Sequence, residues 1–260
     1  MKHIVSFSGG KDSTAMLLMM LEKGMRVDRI ICVDTTKEFP AMYRHIEKVQ
    51  SMCPVKIEIV KIDFDYWFSK YELIKGKNKG KNGYGWPSFK FRWCSGLKMD
   101  AFRSSINGIY APYSRNQRSL SLIRGAKVHL GYSSDEVKRA KIEKSRNETY
   151  PLIEWGVTAK QALEYCYSKG FGWEGLYEKF HRVSCWCCPL SRIGELRVLY
   201  NDFPELWAEL IEMDKKSFRK FRTDYSVDEL TERFANENLY KSIDNSLEKY
   251  AETWSELAKV

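Results

Sequence analysis

The sequence predicts an α/β fold: a doubly wound, mostly parallel sheet with helices on both faces, followed by a mainly helical C-terminal region. Three observations predict it. Short apolar runs recur at residues 2–7, 29–33 and 55–62, stretches of helical spacing separate them, and a glycine pair follows the first run directly. Strands alternating with helices imply a parallel sheet covered on both faces. Right-handed crossovers then bring the loops after the strands to one edge, where ligands of such sheets bind.

Residues 2–7 read as a strand and residues 13–22, with Ala15, Met16, Leu17, Met19, Met20 and Leu21, as a helix stopped by Gly24. Residues 39–52 have helical spacing. Between residues 70 and 92 the pattern fails: Gly76, Gly80, Gly83 and Gly85 alternate with lysines, Tyr84 and Trp86, and the segment reads as a mobile loop. A helix over 95–106, a strand over 127–131 and a helix over 134–144 follow, and Tyr150-Pro151-Leu152 turns the chain. Thr158 and Gln161 have capping-box spacing at the start of a helix that Gly170 ends. Residues 203–218 and 227–250 read as mostly helical. The expected organisation is one domain over 1–190, ending in a cysteine cluster, and a helical region over 191–260.

At 260 residues and 43% hydrophobic, the chain can bury one sizeable core. It has no apolar run of the roughly 18 residues that a membrane span needs, and Met1 to Val5 leads into a motif instead of a signal segment. The expectation is a cytoplasmic protein without a membrane partner. Seven cysteines in such a compartment argue for a metal or redox site over disulfides. The net charge of +9 suits polyanion binding or simply a lysine-rich surface.

Ser8-Gly9-Gly10-Lys11-Asp12-Ser13 carries the clearest chemistry. Glycines after a buried strand let the backbone approach phosphate oxygens, and the following helix N-terminus supplies positive potential. Ser8 and Ser13 can donate hydroxyl hydrogen bonds, Lys11 can neutralise phosphate, and Asp12 can cap the helix or help hold Mg²⁺. Lys11 is followed by Asp12, which excludes a Walker loop, and the G-x-G-x-x-G pattern is absent.

This hexapeptide resembles the PP-loop of the N-type ATP pyrophosphatases, within the adenine nucleotide alpha hydrolase group. Asp34-Thr35-Thr36-Lys37-Glu38-Phe39-Pro40, Arg92-Trp93-Cys94-Ser95-Gly96-Leu97-Lys98, Gly131-Tyr132-Ser133-Ser134-Asp135-Glu136 with Arg139, and Tyr150-Pro151-Leu152-Ile153-Glu154-Trp155 follow in the order of the phosphoadenosine phosphosulfate (PAPS) reductase-like family. The resemblance implies an adenine nucleotide, ATP or PAPS/APS (adenylyl sulfate), held by Ser6, Ser8, Gly9, Gly10, Lys11, Asp12, Ser13, Asp34, Thr35, Thr36, Gly131 and Arg139. It implies catalytic roles for Lys11 and Asp12. The loop would grip leaving pyrophosphate in an ATP pyrophosphatase, or a terminal sulfate or phosphate in a reductase.

Cys185, Cys187 and Cys188 place three thiols within four residues, spacing that suits zinc or an iron-sulfur cluster. Cys94 is the expected fourth ligand, since cluster-carrying reductases resemble this chain in pairing an R-W-C-like element with a later Cys-x-x-Cys. A [4Fe-4S] cluster, Zn²⁺ and a metal-free redox or sulfur-carrying thiol remain open. Cys32, Cys53 and Cys166 are expected to be core thiols. Thiol-dependent relatives carry a late nucleophilic cysteine, and nothing after Cys188 is cysteine. Three functions follow: adenylylation by ATP coupled to sulfur transfer, reduction of PAPS or adenylyl sulfate, and non-catalytic nucleotide binding. Related PP-loop proteins make tRNA or DNA a candidate substrate and a sulfur or electron donor protein a candidate partner. The lysines and aromatics of residues 70–93 suit a nucleic-acid backbone and bases, or a solvated loop. Arg115, Arg118 and Arg124 form a second basic stretch. The sequence leaves the oligomeric state unassigned.

Overall fold

The computed structural model describes residues 1–108, 125–143 and 147–257; Arg115, Arg118 and Arg124 lie outside the described residues. The chain forms two compact units, Met1–Trp67 with Phe89–Cys188, and Phe68–Ser88 with Pro189–Val260. Residues 68–88 therefore belong with the C-terminal residues, which a linear division at residue 190 does not anticipate.

The first unit holds a five-stranded sheet in the order β3-β2-β1-β4-β5, with every pairing parallel. Its strands are β1 Lys2–Ser6, β2 Arg29–Asp34, β3 Ile57–Lys61, β4 Ala126–Leu130 and β5 Glu148–Thr149. The register sets Ser6 between Ile31 and Leu130, so the chain leaves β1 level with the end of β4 and beside the middle of β2. That is the point where strand order reverses, and where an open α/β sheet has its ligand crevice. Helix α1 (Lys11–Glu22) follows β1, α2 (Pro40–Met52) follows β2, and α3 (Trp93–Asn107) packs on β2 and β3. Ile4, Ile31, Phe102, Ala126 and Val128 form a buried cluster in which strand side chains meet α3.

Beyond β4 come a 3₁₀ turn at Ser134–Glu136, α4 (Val137–Glu143), α5 (Pro151–Glu154), α6 (Ala159–Ser168), a 3₁₀ turn at Trp173–Gly175 and α7 (Leu176–Lys179). The expected capping box starts α6: the Thr158 hydroxyl accepts from the Gln161 amide, and the Gln161 side chain accepts from the Thr158 amide. Helix α6 packs against α1. At Tyr150-Pro151-Leu152 the expected turn continues into α5, where Pro151 occupies a first-turn position that needs no amide donor.

The second unit contains α8 (Ile193–Asp202), α9 (Pro204–Lys215) and α10 (Val227–Leu257), which bury Leu196, Leu199, Trp207, Leu210, Met213, Leu230 and Phe234. Helix α8 lies within the helical region expected over 191–260, ahead of the stretch 203–218 read as helical. The mobile loop expected over residues 70–92 is corrected. Leu73 and Trp86 are buried, and the Trp86 ring meets Phe68 at 4.6 Å and Phe221 at 4.9 Å. The Trp86 indole donates to Asp214 at 2.5 Å, and Glu72 pairs with Asn82 in an antiparallel bridge. Gly83, at φ +72°, has no room for a side chain: a Cβ there would fall 1.9 Å from the Phe68 carbonyl oxygen. Lysine and glycine make the segment read as solvated; two apolar anchors hold it.

Trp86 is 1% exposed and Phe89 75% exposed. The substitution Trp86→Ala is expected to lower unfolding free energy by about 3–5 kcal/mol, whereas Phe89→Ala should stay within about 0.5 kcal/mol. Urea denaturation of the two variants checks this, and equal small effects would return the segment to the status of a free loop.

Candidate functional site

The turn between β1 and α1 is shaped from three sides. Gly9 adopts φ +74°, and a Cβ there would lie 3.1 Å from Ile46 and 3.2 Å from Met42 of α2. The Trp173 indole donates to the Gly9 carbonyl at 2.8 Å, and the Tyr177 hydroxyl accepts from the Lys11 amide at 2.9 Å. Ser8 and Ser13 hydroxyls lie 3.0 Å apart, with the Ser13 hydroxyl also 3.0 Å from the Gly10 carbonyl. Gly10, not Asp12, is the N-cap residue of α1. Asp12 lies inside the first turn, where the Lys11 ammonium donates to both of its oxygens at 2.7 and 2.8 Å. Burial raises the Asp12 pKa even so, and Asp135 and Glu136 add negative potential.

Across the sheet, Gly131 at the end of β4 meets the same helix start. A Cβ at Gly131 would fall 2.8 Å from the Ser13 Cα, so glycine is what permits this approach. Ser6 lies within β1. Arg139 donates to Glu136 at 3.2 Å and stands over the Tyr132 ring at 4.3 Å.

A cavity of about 190 Å³ opens beside the loop, lined by Ser8, Cys32, Asp34, Glu38, Tyr43 and Lys61 among others. Asp34 accepts from the Thr36 amide at 2.6 Å and from the Tyr43 hydroxyl at 3.0 Å. Those bonds hold Thr36 at φ +62°, a conformation that side chains other than glycine rarely take. Burial and the adjacent Asp34 push the Tyr43 phenol up, which keeps it a hydrogen-bond donor.

The same β2–α2 loop touches the late cysteines. Cys185 Sγ lies 3.4 Å from Thr35 Oγ1, 3.4 Å from Glu38 Oε1 and 3.8 Å from Lys98 Nζ. Lys98 donates to Glu38 at 2.9 Å. Burial acts to raise the Glu38 pKa, but the Lys98 ammonium outweighs it and holds the carboxyl below its ordinary value. Burial, with the Glu38 carboxylate, pushes the Cys185 thiol up to about 12. Cys94 and Lys98 stand one turn apart on α3, and each feels the other's charge. The Trp186 amide donates to the Lys37 carbonyl at 3.0 Å, which ties the cysteine turn to the loop.

Four thiols are a suitable donor set for iron-sulfur or zinc. Cys187 is buried, while Cys94, Cys185 and Cys188 are half-buried. Among the described residues no group of three or more His, Cys, Asp or Glu converges so as to hold a metal ion. Cys94, Cys185, Cys187 and Cys188 are the residues that would hold a cluster or zinc ion, and the chemistry below runs through neither. Cys32 and Cys166 are buried as expected, and Cys53 is half-buried at the end of α2.

Glu38, Tyr43, Lys98, Trp173 and Tyr177 were not singled out from the sequence as site residues. Lys98 closes the R-W-C-x-x-x-K element, whose four-residue spacing was the available signal. Trp173 and Tyr177 carry none, because their partners lie more than 160 residues away.

The family model of the phosphoadenosine phosphosulfate reductase domain matches residues 2–191. The chain belongs to that family. A PAPS reductase-like domain is a nucleotide-binding, sulfur-handling module, and the match spans every element of the site above. A curated relative, uncharacterized protein MJ0066 of Methanocaldococcus jannaschii, is 27% identical over 209 residues, which are 79% of this chain and 40% of the relative. The chain thus spans less than half the length of that relative. Among solved structures, U34-tRNA thiolase NcsA from Methanococcus maripaludis with its [4Fe-4S] cluster is 14% identical, with 90% of this chain and 71% of that chain covered at a TM-score of 0.37. An overlap that low bears on neither fold nor function. Among the described residues no helix is long and apolar enough to cross a membrane.

His45 and His129 give the PAPS reductase-like unit a definite pH response. His45 is buried within 3.0 Å of Thr14 Oγ1 and stacks on Trp173; burial, with Lys48 nearby, lowers its pKa from 6.5 to about 3. His129 is buried 2.8 Å from Thr149 Oγ1, and burial lowers its pKa from 6.5 to about 4. The unfolded chain takes up protons below pH 6.5 that these folded residues refuse, so stability falls with pH through that window. The urea midpoint should drop from about pH 7 to about pH 5.5, above the range where carboxylates titrate. In His45→Gln the drop should be smaller; an unchanged slope would mean that His45 protonates freely in the fold.

Proposed function

We propose that this chain binds ATP at the β1–α1 loop and adenylylates an acceptor for sulfur insertion. The observation that carries the proposal is the contact of Cys185 with Thr35 and Glu38, because Glu38 also lines the cavity beside Ser8 and Asp34. Glu38 thus links the Cys185 thiol to the cavity that Ser8 of the loop lines.

In this reading the first-turn amides of α1, the Ser8 and Ser13 hydroxyls and Lys11 hold the β- and γ-phosphates, while Asp34 and Tyr43 face the nucleoside. Lys11 would turn from Asp12 to the phosphates, and Asp12 would then hold a Mg²⁺ ion, which would supply charge neutralisation to the polyphosphate. An acceptor oxygen attacks the α-phosphorus, and the bond to pyrophosphate breaks as the new P–O bond forms. A sulfur nucleophile then attacks the activated carbon, and AMP leaves with the oxygen. Positioning and charge stabilisation supply the rate in the first step. Cys185 is the residue suited to carry the sulfur as a persulfide, whose terminal anion the Lys98 ammonium would stabilise. That sulfur attacks the carbon, and an external thiol then cleaves the S–S bond, leaving the thiocarbonyl on the acceptor and a mixed disulfide on Cys185 that a second thiol reduces. A tRNA or DNA base is the acceptor class we favour, and a sulfur donor protein would recharge the thiol.

The family match favours a second reading, reduction of PAPS or adenylyl sulfate. There the loop would hold the nucleotide's anionic groups, and a thiol donor would supply the electrons that release sulfite.

The two readings separate by product. ATP with the protein, Mg²⁺ and a nucleic-acid acceptor should release pyrophosphate, and Asp12→Asn should reduce that release by at least about tenfold. Sulfite from PAPS or adenylyl sulfate with a thiol, and no pyrophosphate from ATP, would reverse the assignment. The substitution Gly9→Val should abolish ATP binding in equilibrium dialysis, because a branched side chain at positive φ obstructs the turn; retained binding would sink the loop assignment. Cys185→Ser should keep ATP binding and lose sulfur transfer, while Cys53→Ser should keep both. Equal loss from the two would mean that the thiol was misassigned.

A further inference from the structure

Two lysine-rich segments 130 residues apart in sequence come together within the second unit. Gly85 and Trp86 fasten residues 70–86 onto residues 214–222: the Trp86 amide donates to Ser217 Oγ at 3.3 Å, its indole to Asp214 at 2.5 Å, and its ring meets Phe221 at 4.9 Å. A Cβ at Gly85 would lie 2.8 Å from Ser217 Oγ, so the two backbones run in close contact. Lys81 Nζ stands 4.6 Å over the Phe218 ring, and the Arg219 guanidinium stands 5.2 Å from the same ring.

The joined segments carry Lys70, Lys75, Lys77, Lys79, Lys81, Lys215, Lys216, Arg219, Lys220 and Arg222 against two carboxylates, Glu72 and Asp214. Lys215, Lys220 and Arg222 are paired with Glu212, Glu229 and Asp224. Lys70, Lys75, Lys77 and Lys79 are exposed and take no carboxylate partner among the described residues. Such a density of uncompensated cations costs self-repulsion and is relieved by a polyanion that displaces counterions. Tyr71 and Tyr84, half-buried and packed on each other at 5.3 Å, lie among the lysines and keep part of their ring surface open to a base.

We propose that this face of the second unit binds the phosphate backbone of a single-stranded nucleic acid. The inference deepens the acceptor class named above and rests on that reading for its place in catalysis. It stands as a binding site without it. An acidic membrane would meet the same lysines, but half-exposed rings on a short turn suit stacking better than insertion.

The test uses the full chain and a fluorescent 30-nucleotide oligouridylate, with anisotropy read from low to moderate salt and no ATP present. Wild type should bind with a steep salt dependence. The triple variant Lys75→Glu, Lys77→Glu, Lys79→Glu should bind at least about tenfold more weakly, with a log–log salt slope shallower by about 2. Its unfolding midpoint and its ATP affinity should match wild type, since all three side chains are exposed. Equal oligonucleotide affinity in variant and wild type would overturn the proposal. So would failure of wild type to bind at low salt, or tighter binding to phosphatidylserine vesicles than to the oligonucleotide. Binding measured without ATP keeps the outcomes separate: absent pyrophosphate release with intact oligonucleotide binding removes only the adenylylation reading, and the converse removes only this one.

Discussion

The first turn of α1 sits against the end of β4 with no side chain between them, at the approach that Gly131 allows to Ser13. From that contact the remaining geometry follows. The chain must turn between Ser6 and Lys11, which needs the positive φ of Gly9 and places the α1 N-terminus at the sheet's switch point. Trp173 and Tyr177 then hold the loop from behind, by the Gly9 carbonyl and the Lys11 amide. The loop is set before any ligand arrives, so binding energy is not spent on ordering it.

The charged groups beside it obey a different constraint. Glu38 and Lys98 form an ion pair next to a thiol in a partly desolvated crevice. Pairs of this kind contribute little net stability, because desolvation offsets attraction, yet removing one partner leaves the other uncompensated. Their value is positional. Cys94 and Lys98 share a face of α3, Thr35 and Glu38 share the loop after β2, and Cys185 is held where the two meet.

The parts of this arrangement that were legible in the sequence are local. The glycines and serines after β1, the Thr158–Gln161 box and the apolar runs of β1, β2 and β4 each signal their structure within a few residues. The Asp34–Pro40 segment and the R-W-C-x-x-x-K element were legible as motifs. Contacts of long sequence separation were not: Trp173 to Gly9, Tyr177 to Lys11 and Cys185 to Thr35 have no periodicity to reveal them. Residues 70–92 were misread for the same reason. Their glycine and lysine content is that of a free loop, and the atoms that anchor Trp86 belong to Asp214, Ser217 and Phe221.

The detour of residues 68–88 into the second unit also bears on synthesis. Phe68 and Trp86 leave the ribosome long before Asp214 and Phe221, and a chain elongating at ~5–20 residues per second reaches Phe221 on the order of ten seconds later. During that interval the two rings can pack on each other, but the residues that close over Trp86 in the folded unit have not been made. The lysines crowded between them then act in the nascent chain as charged gatekeepers, keeping an exposed aromatic segment in solution until its partners have been made.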